Sequence, residues 1–180
     1  LGYGHLRIAS QLSKELSDRG IDVFILSGSH DRAAHFDFGS AYFIDLPGLV
    51  RDPETLRFLS PDGFAPSKDQ AWQAMRAEII RDAMDEHQPD AIVTEMYPFF
   101  RADNFGTELN GMLHKAKHMD KDIKSYSLCR DILKASFTDY PEGSEEGALN
   151  ILKEYYDGVI VRGDGDIVPL SSSFNGASDI

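Results

Sequence analysis

Gly2-Tyr3-Gly4-His5 is followed without a break by a helical pattern over residues 6–19. The large apolar side chains of this pattern recur every four positions, as Ile8, Leu12 and Leu16. That spacing predicts one apolar helix face. Gly20 is a natural left-handed stop, and residues 21–26, which are apolar except for Asp22, predict a buried strand. A glycine loop that feeds a helix and then a strand is how open α/β sheets present backbone N–H groups to an anion.

The chain has no strand ahead of this glycine loop, because it opens at Leu1. An open α/β sheet has a strand at that place, so we expect the first strand of the sheet to be missing. Residues 171–176 read Ser-Ser-Ser-Phe-Asn-Gly, which predicts a loop without a closing element. We therefore interpret residues 1–180 as a truncated piece of a larger protein, cut at both ends.

The composition is typical of one soluble globular domain, with 42% hydrophobic and 27% charged residues in 180. A net charge of −12 argues against a nucleic-acid partner, because phosphate backbones are bound by basic surfaces. The single cysteine, Cys129, excludes a disulfide within the chain and favours a reducing, cytoplasmic compartment. No apolar run approaches the roughly 20 residues of a membrane helix.

Strands and helices alternate along the rest of the chain. Further strands are predicted at 41–46, 91–94, 125–129 and 158–162. Helices are predicted from a Ser67/Gln70 capping box to His87, around 105–113, and over 147–156, whereas 51–66 reads as irregular. The helix that ends at His87 should bury the stripe Trp72, Met75, Ile79 and Ala83. Continuously apolar strands between helices predict an α/β, Rossmann-like fold, a parallel sheet with helices on both faces.

Ligands of such sheets bind beyond the carboxyl ends of the strands. The loops expected at that edge are 2–5, 27–30, 95–101, 130–131 and 163–166. The side chains of these loops that could bind a ligand or take part in catalysis are His5, Glu95, Arg101, Arg130 and Asp131. In the 95–101 loop we expect one aromatic residue in the core, with Glu95 and Arg101 turned toward the site.

His5 opens a helix beside two glycines at this edge. The positive end of a helix favours a neutral imidazole, which can take a proton from a hydroxyl group. A purely structural histidine is the alternative. Arg7 replaces the third glycine of the dinucleotide fingerprint, and no acid follows Leu26, so NAD or FAD is disfavoured.

Three other patterns have simpler interpretations than a ligand site. Asp164-Gly165-Asp166 matches a metal-binding pair of acids, but a turn explains it better. His114 and His118, spaced i, i+4 among lysines, would form half a metal site; a solvated helix face is the plainer interpretation, and contact with anionic lipid a remoter one. Cys129 is expected to be a buried, small apolar residue.

Four segments in order resemble one family. Residues 2–23 are similar to the opening of GT-B glycosyltransferases, in particular the group that contains the peptidoglycan N-acetylglucosaminyltransferase (family 28-like). Thr94–Phe99, Arg130–Leu133 and Tyr155–Asp164 resemble segments of a bacterial subgroup of predicted glycosyltransferases of that type. The resemblance covers most of residues 1–170.

The resemblance implies the acceptor-side, N-terminal half of a two-domain GT-B enzyme, whose donor domain is absent from this chain. It implies transfer of a hexosyl group from a nucleotide-sugar, usually a UDP-sugar, to an acceptor hydroxyl, without a metal or other cofactor. His5 matches the histidine that acts as base in several relatives, and Gly2 and Gly4 match the loop that faces the cleft. Substrate contacts are expected at Glu95, Arg101, Arg130 and Asp131.

We expect a cytoplasmic protein and leave peripheral membrane contact open. A non-catalytic Rossmann-like module that binds a sugar phosphate or a partner chain remains the alternative. A nucleotide-dependent oxidoreductase would need the acid that the second strand lacks.

Overall fold

The computed structural model describes residues 3–28, 30–55, 57–99, 102–133 and 144–180, and it shows an α/β protein with parallel sheets. The α-helices are α1 (Tyr3–Asp18), α2 (His30–Ala33), α3 (Gln70–His87), α4 (Ala102–His118) and α5 (Ser144–Tyr155). The strands are β1 (Phe24–Ser27), β2 (Tyr42–Asp45), β3 (Val50–Arg51), β4 (Phe58–Leu59), β5 (Ala91–Glu95), β6 (Lys124–Arg130) and β7 (Gly158–Arg162). Short 3-10 turns cover Pro66–Lys68, Leu170–Ser172 and Asn175–Asp179. The chain forms two compact units, divided between Ala83 and Met84.

The first unit is built on the parallel pair β1–β2, in which Phe24 is opposite Tyr42 and Ser27 opposite Asp45. Helix α1 packs on this pair through a core of Leu6, Ala9, Ile25, Ala33, Phe36, Phe38 and Phe43. The predicted stripe is therefore wrong in part. Leu6, Ser10 and Ser13 are buried, whereas Leu12 is 36% exposed. Small serines let α1 approach closely, and the Ser13 hydroxyl donates to the Phe38 carbonyl at 2.9 Å.

The end of α1 confirms the predicted glycine stop. Gly20 has φ +79°, its N–H donates to the Ser17 carbonyl, and the Ile21 N–H reaches back to the Leu16 carbonyl. This pair of bonds is a Schellman motif, which satisfies carbonyls that the helix end leaves unpaired. Arg19 also pairs with Glu15 one turn earlier, at 2.7 Å.

The segment before α3 is more regular than its sequence predicted. β3 and β4 form a short antiparallel hairpin, with Val50 opposite Leu59. The capping-box prediction is wrong, because α3 begins at Gln70 and Asp69 accepts the Trp72 N–H at 2.9 Å. Asp69 is itself held by the Ser60 hydroxyl at 2.5 Å.

The buried face of α3 is also shifted from the prediction. Trp72 and Ala83 are buried as expected, but Met75 is 53% exposed. The remaining buried positions are Arg76, Ile80 and Met84. The sequence analysis did not place an arginine on the buried face of α3, because charged side chains are normally excluded from such a face.

The second unit is built on the parallel sheet β5-β6-β7. One core cluster joins Ile92 of β5 to Met84 of α3, Ala116 of α4 and Ile123. A second cluster joins Cys129 of β6 to Leu152 of α5, and it also contains Met96, Phe99, Leu133 and Phe174. The predicted strands and helices of this unit are confirmed, with ends moved by a few residues.

The C-terminal segment is packed, although its sequence predicted a loop. Phe174 is 1% exposed and meets Phe99 edge-on, with ring centres 5.2 Å apart. Within the described part of the chain, no helix is both long and apolar enough to cross a membrane.

Candidate functional site

The start of α1 lies at the carboxyl edge of the first unit. Gly39, just before β2, lies against Ser17 near the end of α1, so α1 runs antiparallel to the strands. Its first turn therefore lies beside the segment that leaves β1, and the Tyr3 ring is 6.2 Å from the Phe36 ring. Gly4 and His5 belong to this first turn, Gly4 exposed and His5 half-buried.

Gly4 is helical and not part of a loop, which corrects the sequence prediction at this position. A methyl group built on Gly4 would meet no atom within 4 Å. Glycine is a poor helix former compared with alanine, by about 1 kcal/mol. No neighbour within the described chain therefore requires glycine at this position. The space next to Gly4, beside His5, is open protein surface.

Two further glycines bring the ends of β1 and β2 into backbone contact. A Cβ on Gly48 would lie 2.5 Å from the Gly28 carbonyl oxygen, so only glycine fits. Arg76 donates to the Pro47 carbonyl at 2.7 Å, and the Trp72 indole donates to the Gly48 carbonyl at 3.3 Å. Helix α3 thus fixes the loop after β2, and a guanidinium group lies at this edge.

The end of β5 is shaped by a buried turn. Glu95 ends the strand, half-buried, and Met96 follows with φ +60° while its N–H donates to the Leu128 carbonyl at 2.8 Å. The bond from Tyr97 to Pro98 is cis. Tyr97 and Phe99 are both buried, so the expectation of one core aromatic is wrong.

A hydrogen-bond network holds this turn. The Tyr97 carbonyl accepts from the Ser127 hydroxyl at 2.7 Å and from the Thr94 hydroxyl at 3.1 Å. Thr94 also bonds the Tyr156 hydroxyl at 2.7 Å. Burial raises the pKa of Tyr97 to about 12 and raises the pKa of Tyr156 as well. Both phenols therefore stay protonated and act as structural hydrogen-bonding groups.

Arg130 and Asp131 follow one another at the end of β6. Arg130 is exposed and lies opposite Arg162 of β7. Asp131 packs on Gly163, where a Cβ would lie 2.5 Å from its Oδ2 atom. Its Oδ1 atom accepts the Ile132 N–H at 2.9 Å, and its carbonyl accepts from the Ser173 hydroxyl. These contacts give Asp131 a structural task at this edge.

The residues after β7 form a turn, which the sequence analysis preferred to a metal site. The Asp164 side chain accepts the Asp166 N–H at 3.0 Å, and the Asp164 carbonyl accepts the N–H groups of Ile167 and Val168. Among the described residues, no group of three His, Cys, Asp or Glu side chains could hold a metal ion.

Cys129 is buried in β6, as predicted, and is 2% exposed. Burial, together with the charge of Asp131, raises the pKa of its thiol to about 11. The thiolate is therefore suppressed near neutral pH, and the side chain packs in the core as a small apolar group.

The predicted site residues fall into two groups. Gly4 and His5 lie at the edge of the first unit, and Glu95, Arg130 and Asp131 lie at the carboxyl ends of the second sheet. Gly2 and Arg101 lie outside the described residues. The sequence interpretation included Gly28 only as part of the 27–30 loop, and it did not select Gly48, Trp72 or Arg76 for this edge. The sequence signal that could have indicated this edge was a glycine after each of two strands, at Ser27-Gly28 and Pro47-Gly48.

Comparison of the chain with protein-family models, with curated proteins and with solved structures finds no match.

Proposed function

We propose that this chain is the acceptor-side domain of a GT-B glycosyltransferase, which moves a hexosyl group from a nucleotide-sugar to an acceptor hydroxyl. The first turn of α1 is the observation that carries the proposal. It combines an open surface at Gly4 with an adjacent imidazole at the positive end of a 16-residue helix. The resemblance of residues 2–23 to such enzymes supports the same assignment.

In this proposal His5 is the general base. Its imidazole takes the proton of the acceptor hydroxyl as that oxygen attacks the anomeric carbon, while the nucleoside diphosphate leaves. The Gly4 surface lets substrate approach the N–H groups of the first turn, which attract anionic oxygen. The transfer uses a nucleotide-sugar as co-substrate, probed first as a UDP-sugar, and the proposal includes no metal, other cofactor or nucleic acid.

The finer architecture is part of the proposal. β1 is continuously apolar over Phe24–Leu26, as inner strands of parallel sheets are, and it pairs with β2 alone among the described residues. We propose that a strand encoded ahead of Leu1 pairs with β1, and that a donor domain follows Ile180. Cytoplasmic location and peripheral membrane contact belong to the same proposal.

The test of the base is His5→Ala in the intact protein that contains this chain. Removal of a positioned base should lower kcat by about 10²–10⁴-fold, measured as UDP release with a panel of UDP-hexoses and acceptors. His87→Ala, at the end of α3, is the matched control and should keep its rate. A loss of less than about threefold in His5→Ala would remove His5 from this role.

The Gly4→Ala variant tests whether substrate approaches the surface at Gly4, and it distinguishes that effect from a loss of folding. The added methyl meets no atom of the described chain within 4 Å, and alanine favours the helix, so the melting temperature should stay the same or rise. In the same variant KM should rise, because the methyl group occupies the surface that substrate approaches. An unchanged KM would show that this surface is not used.

A non-catalytic module that binds a sugar phosphate or a partner chain is the second candidate. Asp131 favours it, because its carboxylate is committed to the Ile132 N–H and packed on Gly163. Binding of a sugar phosphate by the intact protein without turnover of any UDP-hexose would favour this candidate.

A further inference from the structure

His114 and His118 form a matched pair on the last turns of α4. Both side chains are exposed, and their rings stack with centres 4.1 Å apart and planes inclined by 20°. Histidines at i and i+4 lie on one helix face, which is the spacing that two zinc-binding histidines use in metalloprotease helices. Two nitrogen atoms bound to one ion lie at most about 4 Å apart. The ring centres are already 4.1 Å apart, so rotation of the His114 ring about its side-chain bonds can present one nitrogen from each ring to the same ion.

The backbone orients one of the two rings. The His118 Nδ1 atom lies 2.7 Å from the His114 carbonyl oxygen. A carbonyl can only accept, so Nδ1 is the donor, and in the neutral ring the lone pair is on Nε2. Metal-bound histidines commonly donate their second ring N–H to such a carbonyl, which fixes the ring for binding.

The lysines near the two histidines oppose cation binding less than the sequence suggests, because each of them has its own partner. Lys115 is bound to Asp85 at 2.5 Å, and Lys117 donates to the Glu154 carbonyl at 2.8 Å over the Tyr155 ring. Lys121 is paired with Asp90 at 2.8 Å. These lysines are thus directed to specific partners, and the C-terminal end of α4 contributes the negative end of its helix dipole.

We propose that His114 and His118 bind one borderline transition-metal ion, Zn²⁺, Ni²⁺ or Cu²⁺, through two imidazole nitrogens. The described residues offer no third His, Cys, Asp or Glu ligand at this place, so water completes the coordination shell. Imidazole suits these ions, and affinity should be highest for Cu²⁺ in the usual order of the series. This site is separate from the proposed glycosyltransferase chemistry and does not depend on it.

The test is calorimetric titration of the 180-residue chain with Zn²⁺, Ni²⁺ and Cu²⁺ near neutral pH. One ion per chain should bind, and it should raise the melting temperature, because only the folded helix brings both rings together. His118→Gln removes one ligand and should weaken binding by about tenfold or more, the scale on which metal sites respond to lost support.

A relocation variant tests the spacing itself. His114→Ala/Gly111→His keeps all six histidines and the same helix face, but separates the two rings by about 10.5 Å along the axis. A Cβ on Gly111 would meet no atom within 4 Å, and the position is exposed, so the fold should be retained, as circular dichroism would verify. This variant should bind as weakly as His118→Gln, whereas His87→Ala should bind like the wild type. Equal affinity of the wild type and the relocation variant, or loss in His87→Ala, would overturn the proposal.

Discussion

Gly163 and Asp131 show how closely the carboxyl edge of the second unit is packed. A methyl group on Gly163 would lie 2.5–2.7 Å from three atoms of the Asp131 side chain, including its Cβ. We expect Gly163→Ala to cost about 1–3 kcal/mol of unfolding free energy, the usual cost of overpacking. Urea denaturation measures this cost directly.

The matched control is Gly165→Ala, because a methyl group there meets nothing within 4 Å. Asp131→Ala removes two of the three atoms that the new methyl would meet, so the double variant should recover part of the loss. Strict additivity of the two single changes would contradict the contact.

Asp69 is expected to make stability depend on pH. The hydrogen bond from Ser60 and the N–H of Trp72 lower the pKa of Asp69 from its ordinary value of 3.8. Its ionised form therefore stabilises the fold above about pH 4, and that stabilisation disappears as pH falls through the lowered folded-state pKa. Asp69→Asn keeps a helix cap but removes the charge.

The measurement is thermal unfolding between pH 7 and pH 3. On acidification, the melting temperature of the wild type should fall further than that of Asp69→Asn. The control Asp62→Asn, in the exposed turn before α3, should show the same fall as the wild type. Parallel curves for wild type and Asp69→Asn would exclude this role for the carboxylate.

Single residues explain most differences between the sequence predictions and the structure. Asp69 and Ser67 are both good capping residues, and Asp69 is the one that accepts the Trp72 N–H while the Ser60 hydroxyl holds its carboxylate. Arg76 is buried because the Pro47 carbonyl accepts its hydrogen bond, which helical periodicity does not encode. His5 could be chosen as a candidate because it lies in the first turn of a helix, and helices of parallel α/β sheets begin at the carboxyl edge of the strands.

At the scale of elements, Phe174 attaches the C-terminal segment to the second unit. Its ring contacts Phe99, and the Ser173 hydroxyl bridges the Asp131 carbonyl and the Leu133 N–H. Phe174→Ala should cost about 3–5 kcal/mol of unfolding free energy, as loss of a buried phenylalanine usually does. Chemical denaturation measures the cost.

Ile167→Ala is the control for that change, since Ile167 is 77% exposed and its loss should cost no more than about 0.5 kcal/mol. Deletion of residues 171–180 should destabilise the unit as Phe174→Ala does. A stable deletion variant would show that the segment is dispensable for the fold.

The strands and long helices were predictable because their periodicity is local. β2, β5 and β7 and the helices α1, α3 and α4 lie where apolar spacing and glycine or proline stops place them. The β3–β4 hairpin was not predictable, because each strand has two residues, too few to show an alternating pattern. The packed tail was not predictable, because it depends on partners distant in the sequence. The burial of both Tyr97 and Phe99 has the same cause.

At the scale of the whole molecule, the proposal predicts that the 180-residue chain alone transfers no sugar. In that proposal, donor recognition belongs to a second domain that is not part of the 180 residues. The measurement is UDP release from UDP-hexoses by this chain, with the intact protein as the positive control. Turnover by the chain alone would contradict the two-domain account.

Cys129 gives this chain an internal reporter of opening. The thiol is the only one among 180 residues, it is 2% exposed, and its raised pKa keeps it protonated. An alkylating reagent can therefore modify the folded protein only after β6 has been uncovered, so the fraction of labelled chains counts opening events. Ligands that close or stiffen the second unit would be detected as slower labelling, without any probe being attached to the protein.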